Sequence, residues 1–181
     1  RLPGIHAVDW PRGQPVRVWT DSVASYTDQV VQFIGNFRFE DDETKVTSDF
    51  GTWYRDDERW EATGNVVYLN RRDGSTLVGP NATYRRKGSG TKELQEGFAE
   101  QRPTLTLAAG DSAQRPREEP YVVVADRVRM RGEDNMWAGG TVTIDRTDLR
   151  VRGYSLQLDT GRGSAGALIG HASIRRPPPD S

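Results

Sequence analysis

Residues 31–68 read VQFIGNFRFEDDETKVTSDFGTWYRDDERWEATGNVVY, and they decide the fold. Two Gly-Asn pairs, Gly35-Asn36 and Gly64-Asn65, stand 29 residues apart inside two strand-like runs. Val31, Phe33, Phe37 and Phe39 share one parity in the first run. Trp60, Ala62, Val66 and Tyr68 share it in the second. Successive side chains of a strand point to opposite faces, so each run lays an apolar stripe on one face. Arg38, Glu40, Glu61 and Thr63 go to the other, with Ile34, Val67 and Leu69 breaking the alternation. A stripe recurring at a fixed period marks a repeat architecture, and the whole chain is read as further turns of this unit.

The acidic stretches between the runs, Glu40–Glu43 and Arg55–Arg59, read as solvated hairpin turns. Four carboxylates at the first resemble a Ca²⁺ loop only in charge; the alternating ligands and internal Gly of an EF-hand are missing. Asp73-Gly74 signals the next hairpin. In the arm over 76–86, Pro80-Asn81-Ala82-Thr83-Tyr84 matches Asp49-Phe50-Gly51-Thr52-Trp53. Residues 98–107 predict a strand whose Pro103 sits at an edge or a bulge. Residues 108–120 read as a long polar loop, and 121–130 as a strand.

Aligning Gly140 on Gly64 puts Ala138, Val142 and Ile144 on the inward parity, and aligning Gly170 adds Leu168. The recurrent glycines are then Gly35, Gly64, Gly97, Gly140 and Gly170. A Gly inside a strand weakens it, so five at one register position imply a bend or close packing there. The domain reading is an extended lead-in over 1–15, anchored by Trp10, one all-β domain over 16–175 with an irregular insertion at 87–120, and a disordered Pro-rich tail over 176–181.

Composition narrows the function. The 181 residues carry 25 Lys and Arg against 26 Asp and Glu, so no global positive field gathers nucleic acid. Without cysteine there is no disulfide framework and no thiolate metal site. No apolar run approaches the roughly 18 residues of a membrane-crossing helix. Gly110-Asp111-Ser112 lacks the strand-turn-helix setting of a nucleophile, and His6 and His171 are far from it. Most carboxylates fall at bends; Glu61 and Asp126 are the exceptions, and nothing in the sequence brings them together as a glycosidase pair. No catalytic residue, metal ligand or cofactor is expected.

The segments from Gly35 to Val66, WEATGNV at 60–66, LVGPNATY at 77–84, VADRVRM at 124–130 and WAGGTVTI at 137–144 resemble the OstA-like, or LptA-like, repeats of lipopolysaccharide transport proteins. That family includes a periplasmic bridge, the soluble part of its inner-membrane partner and the N-terminal domain of the outer-membrane translocon. The likeness covers roughly residues 16–175 and departs at 87–120. It implies an OstA-like β-jelly roll, a V-shaped, repeat-built folded antiparallel sheet. It also implies a periplasmic, non-enzymatic protein that shields lipopolysaccharide acyl chains in an apolar groove between inner and outer membranes. The groove would be lined by Val31, Phe33, Phe37, Phe39, Trp60, Ala62, Val66, Tyr68, Ala138, Val142, Ile144 and Leu168. Lipid, further transport components or a second copy pairing head to tail at a sheet edge would be the partners. The alternative is a structural or adhesive β-solenoid in which the same stripe is a closed core with no ligand.

Overall fold

The computed structural model describes residues 4–8, 16–25, 27–71, 74–85, 95–109, 118–132, 135–147, 149–159, 165–169 and 173–175. Of these, 4–8, 25, 108–109, 118, 158–159, 165–169 and 173–175 are described by backbone alone. There is no helix among them. The strands are β1 (Gly4–Val8), β2 (Val16–Thr20), β3 (Ser22–Ser25), β4 (Val30–Glu40), β5 (Thr44–Tyr54), β6 (Arg59–Asn70), β7 (Thr76–Arg85) and β8 (Glu96–Glu100). They continue with β9 (Thr104–Ala109), β10 (Glu118–Val124), β11 (Arg127–Arg131), β12 (Asn135–Arg146), β13 (Leu149–Asp159), β14 (Ala165–Ile169) and β15 (Ser173–Arg175). Every pairing is antiparallel, in one sheet of fifteen strands.

Short turns force the meander of β4 to β7. At 41–43 the Asp41 carboxylate accepts hydrogen bonds from the backbone N–H groups of Glu43 (3.0 Å) and Thr44 (2.8 Å), closing the β4–β5 hairpin. The acidic run is thus a turn, and its leading Asp is used as a turn-forming acceptor. At 70–74 the Gly74 N–H donates to the Asn70 carbonyl at 2.9 Å, with Gly74 at φ +80°.

One line of irregularity crosses the sheet. From Ile34 to Phe37 β4 advances three residues while β5, from Ser48 to Phe50, advances two. The same one-residue shift recurs between β5 and β6, β6 and β7, and β12 and β13. The extra residue falls on β4 at Gly35-Asn36, on β6 at Gly64-Asn65 and on β12 at Gly140-Thr141, all with positive φ. At Gly64, φ is +82° and a Cβ would stand 2.6 Å from the Asp49 carboxylate, so the position excludes a side chain twice over. Between β8 and β9 the bulge is Gln101-Arg102, at φ +63° and +59°. Expected at Gly97, the recurrent bend is therefore four residues later. Gly97 lies inside β8 between Tyr84 and Met130 and has no positive φ. Gly170 lies outside the described residues.

The bulges are clasped from the neighbouring strand by aspartates. Asn36 Nδ2 donates to Asp21 Oδ2 at 2.8 Å, and Asn65 Nδ2 to Asp49 Oδ2 at 2.9 Å. The Arg102 guanidinium donates to Asp126 Oδ1 at 3.0 Å. Asp126 thus stands at a bend like the other acidic residues, contrary to the sequence reading. The bulge turns the long strands, so each contributes to two half-sheets. One contains β3, β8, β11 and β14, with the first half of β4, β6 and β12; the other contains β2, β9, β10 and β15, with their second half.

Because β7 pairs with both β8 and β9, and β12 with both β10 and β11, six strands hydrogen-bond into a closed antiparallel barrel. The other strands extend it on both sides. Within 87–120, the described residues 95–109 and 118–120 are mostly regular strand rather than an irregular insertion. Pro103 sits at the bulge between β8 and β9, where no ladder N–H is required.

Candidate functional site

Where the half-sheets face each other, the inward residues form rows that cross the sheet in register. One row runs Val18, Phe39, Val46, Tyr68, Leu77, Leu105, Val123, Ile144, Val151, each paired with the next. The facing row runs Val31, Trp53, Trp60, Tyr84, Gly97, Met130, Met136. Neither contains a charged residue.

Rings from the two rows interdigitate. Phe39 of one row has its centroid 4.8 Å from Trp60 and 5.9 Å, in an edge contact, from Tyr84 of the other; beside them, outside both rows, Phe33 and Phe37 lie 5.4 Å apart. Trp53 and Trp60 stack at 5.2 Å with 6° between their planes. Such pairs contribute about 0.5–1.5 kcal/mol each beyond the area they bury. Gly51 faces the Phe37 ring, which lies where a Cβ would otherwise project.

Ten of the expected groove residues come together here. Val31, Phe33, Phe37, Phe39, Trp60, Ala62, Val66, Tyr68, Ala138 and Val142 are all buried, none more than 9% exposed. Ile144 is partly buried against them. Leu168 pairs with Leu156 along the backbone, and its side chain lies outside what is described. Ile34 and Val67 face out, 37% and 39% exposed, so the breaks in alternation are apolar residues on the outer face.

The sequence reading missed half of the lining. Val46, Leu77, Tyr84, Leu105, Val123 and Val128 are equally buried. They lie on strands without a bulge or beyond the register shift. On β5 the inward positions are 44, 46 and 48 before the fold line, then 51 and 53 after it. The parity switches at Asp49-Phe50. The usable signal was the aspartate that precedes each switch, at Asp21, Asp49 and Asp126.

Among the described residues, two neighbouring gaps between the half-sheets share a lining of Gly97, Tyr68, Tyr84 and Met130. The first, about 20 Å³, lies among Phe37, Phe39, Trp60 and Leu77. The second, about 60 Å³, has an apolar floor of Leu105, Leu107 and Met136 and a rim carrying Asn70, Ser75, Gln95 and Asn135. A water needs roughly 10–15 Å³ of such space, so these hold one to a few waters. Gly97 explains their position: it is the one residue without a side chain in the facing row, and the end of Met130 comes within 3.2 Å of where its Cβ would be. Both methionines of the chain line the larger gap.

The outer face is charged. Arg59 pairs with Asp57 (3.5 Å) and Glu61 (3.4 Å), and Arg38 covers the Trp19 ring at 3.8 Å. Glu61 lies within β6 and Asp126 in the bend between β10 and β11, and among the described residues no cluster of three or more His, Asp or Glu is placed to hold a metal ion. The Gly110-Asp111-Ser112 stretch, Trp10 and His171 lie outside the described residues. The chain matches no protein-family model and no curated protein.

Proposed function

We propose that this chain carries acyl lipid between membranes, as a V-shaped jelly-roll protein of the OstA-like kind working in the periplasm. The supporting observation is the inward row from Val18 to Val151: nine paired residues, all apolar or aromatic, crossing the interior from strand to strand. Each methylene moved from water onto such a surface contributes about 0.8 kcal/mol, so a chain of about ten contributes roughly 8 kcal/mol before ordering costs. No bond is made or broken. The lipid is lipopolysaccharide or a related acylated molecule, its headgroup left in water at the lip.

Entry is at the larger gap, where Met130 and Met136 give way most easily among the lining side chains. Loading parts the half-sheets, because gaps of 20 and 60 Å³ do not hold an acyl chain as they stand. Among the described residues β3 pairs only with β4 and β14 only with β13. These edges are where a transport partner or a second copy adds strands, extending the track head to tail.

A second reading has its own observation. Side chains of 0–9% exposure and water-sized gaps also describe a filled core, and a structural rod of repeats needs no more. Native mass spectrometry after exposure to lipopolysaccharide separates the two. Bound lipid, together with crosslinking to it from photoreactive residues at Phe37 or Val66, is the expected result. A lipid-free protein, or crosslinks only from outward positions such as Thr63, leaves the rod.

A further inference from the structure

Trp60 carries a polar atom that its surroundings do not satisfy. The side chain is 3% exposed, and its Nε1 is buried without a hydrogen-bond partner. Rings of Phe33, Phe37, Phe39 and Trp53 surround it at centroid distances of 4.8–6.4 Å. Trp60 also lines the 20 Å³ gap. One water fits that gap by volume, but a buried water needs two to four polar partners. The lining is overwhelmingly apolar: besides the hydroxyls of Tyr68 and Tyr84, the latter directed to Asp41, its polar side chains are Glu61 and Thr83, which sit on the opposite parity from Trp60. What suits the N–H is an acceptor delivered on an otherwise apolar molecule.

We infer that Trp60 is the polar anchor of the interior, its indole N–H donating to the ester or amide carbonyl oxygen of an acyl chain. This rests on the lipid-carrying reading and specifies which atom of the lipid is recognised. Position fits the role. Trp60 is the second residue of β6, just inside the turn at 55–58. A carbonyl held there leaves the headgroup at the lip beside that turn, with the chain directed inward. The near-parallel stack on Trp53 fixes the indole plane, so little ordering is left to the moment of binding.

The test compares a monoacylglycerol with the alkyl ether of the same chain length, each added below its micelle-forming concentration to the ¹⁵N-labelled whole chain. The two differ at the carbonyl. The Trp60 indole signal, assigned by its loss in Trp60→Phe, moves downfield with the ester and not with the ether. The ester binds up to about tenfold tighter, the ratio one hydrogen bond supports. Trp60→Phe abolishes the ester's advantage and Trp53→Phe keeps it. Equal binding of ester and ether with an unmoved indole signal overturns the anchor and leaves the lipid reading standing. Binding of neither molecule overturns the lipid reading and the anchor with it. The wild-type spectra decide even if Trp60→Phe fails to fold.

Discussion

The interior is built in two styles. Between β4 and β7 it is filled by rings, Phe33, Phe37, Phe39, Trp53, Trp60, Tyr68 and Tyr84, in mutual contact. Between β8 and β12 it is filled by Ala99, Leu105, Val123, Ala125, Val128, Met136, Ala138 and Val142. The bulges differ in the same sense. The ring-filled region uses Gly-Asn and clasps it with an Asn–Asp hydrogen bond; the aliphatic region uses Gln101-Arg102, clasped by an Arg–Asp ion pair, and Gly140-Thr141, which packs against the same Asp126. Both repeat the same backbone path. The rings are large, flat and locked by their neighbours, so that half resists opening. Aliphatic side chains and methionines repack at low cost, and the larger gap lies on their side.

The largest test of this contrast is truncation. Phe39 is 1% exposed and touches Trp60 and Tyr84 across the interior. Phe39→Ala is expected to cost about 3–5 kcal/mol in urea unfolding. Met136→Ala, at the wall of an existing gap, is expected near the lower end of the roughly 2–5 kcal/mol range for such changes. Equal losses would mean that the two regions are equally rigid.

The bulges give the next effect. Gly64→Ala places a methyl group where φ is +82° and the Asp49 carboxylate is 2.6 Å away. Left-handed backbone alone costs an L-residue about 1–2 kcal/mol, and the clash adds to it. At Gln101 the L-residue is already present at φ +63°. Gln101→Gly therefore reverses the sign and stabilises by about 0.5–1 kcal/mol, the relief of strain less the extra freedom glycine gains in the unfolded chain. Thermal unfolding of the two variants reads both signs. Destabilisation by Gln101→Gly would show that its side chain, not the backbone, is what the bulge needs.

How much of this was legible in the sequence follows from the same bulges. Where the extra residue is on the strand, as at Gly35-Asn36 and Gly64-Asn65, inward parity survives the bend. Val31 to Phe39 and Trp60 to Tyr68 could therefore be read by alternation alone. Where the bulge is on the neighbours, parity flips within the strand, and Val46 and Gly51 look contradictory until the fold line is known. The third bulge was invisible because it lacks glycine: Gln and Arg can enter left-handed backbone when tertiary contacts hold them, and Arg102 is held by Asp126. Alternation cannot report cavity size either, because the gaps depend on how two rows interdigitate.

The smallest expected effect concerns Gly97, which lies where the two styles meet. It has ordinary extended backbone and pairs with Tyr84 on one side and Met130 on the other. An added Cβ would meet Met130 alone, its flexible terminal methyl at 3.2 Å and its Cβ at an ordinary 3.9 Å. Gly97→Ala should thus do the opposite of Gly64→Ala and stabilise by about 0.4–1 kcal/mol, mainly by restricting the unfolded chain. The methyl group enters the space that both gaps share, so the variant should be more stable yet take up less lipid in the native mass spectrum. A more stable protein with undiminished uptake would place the entry route away from Met130. A less stable one would mean that Met130 is too tightly packed to move, which would remove the distinction between a stiff half and a yielding one at the place where it matters for loading.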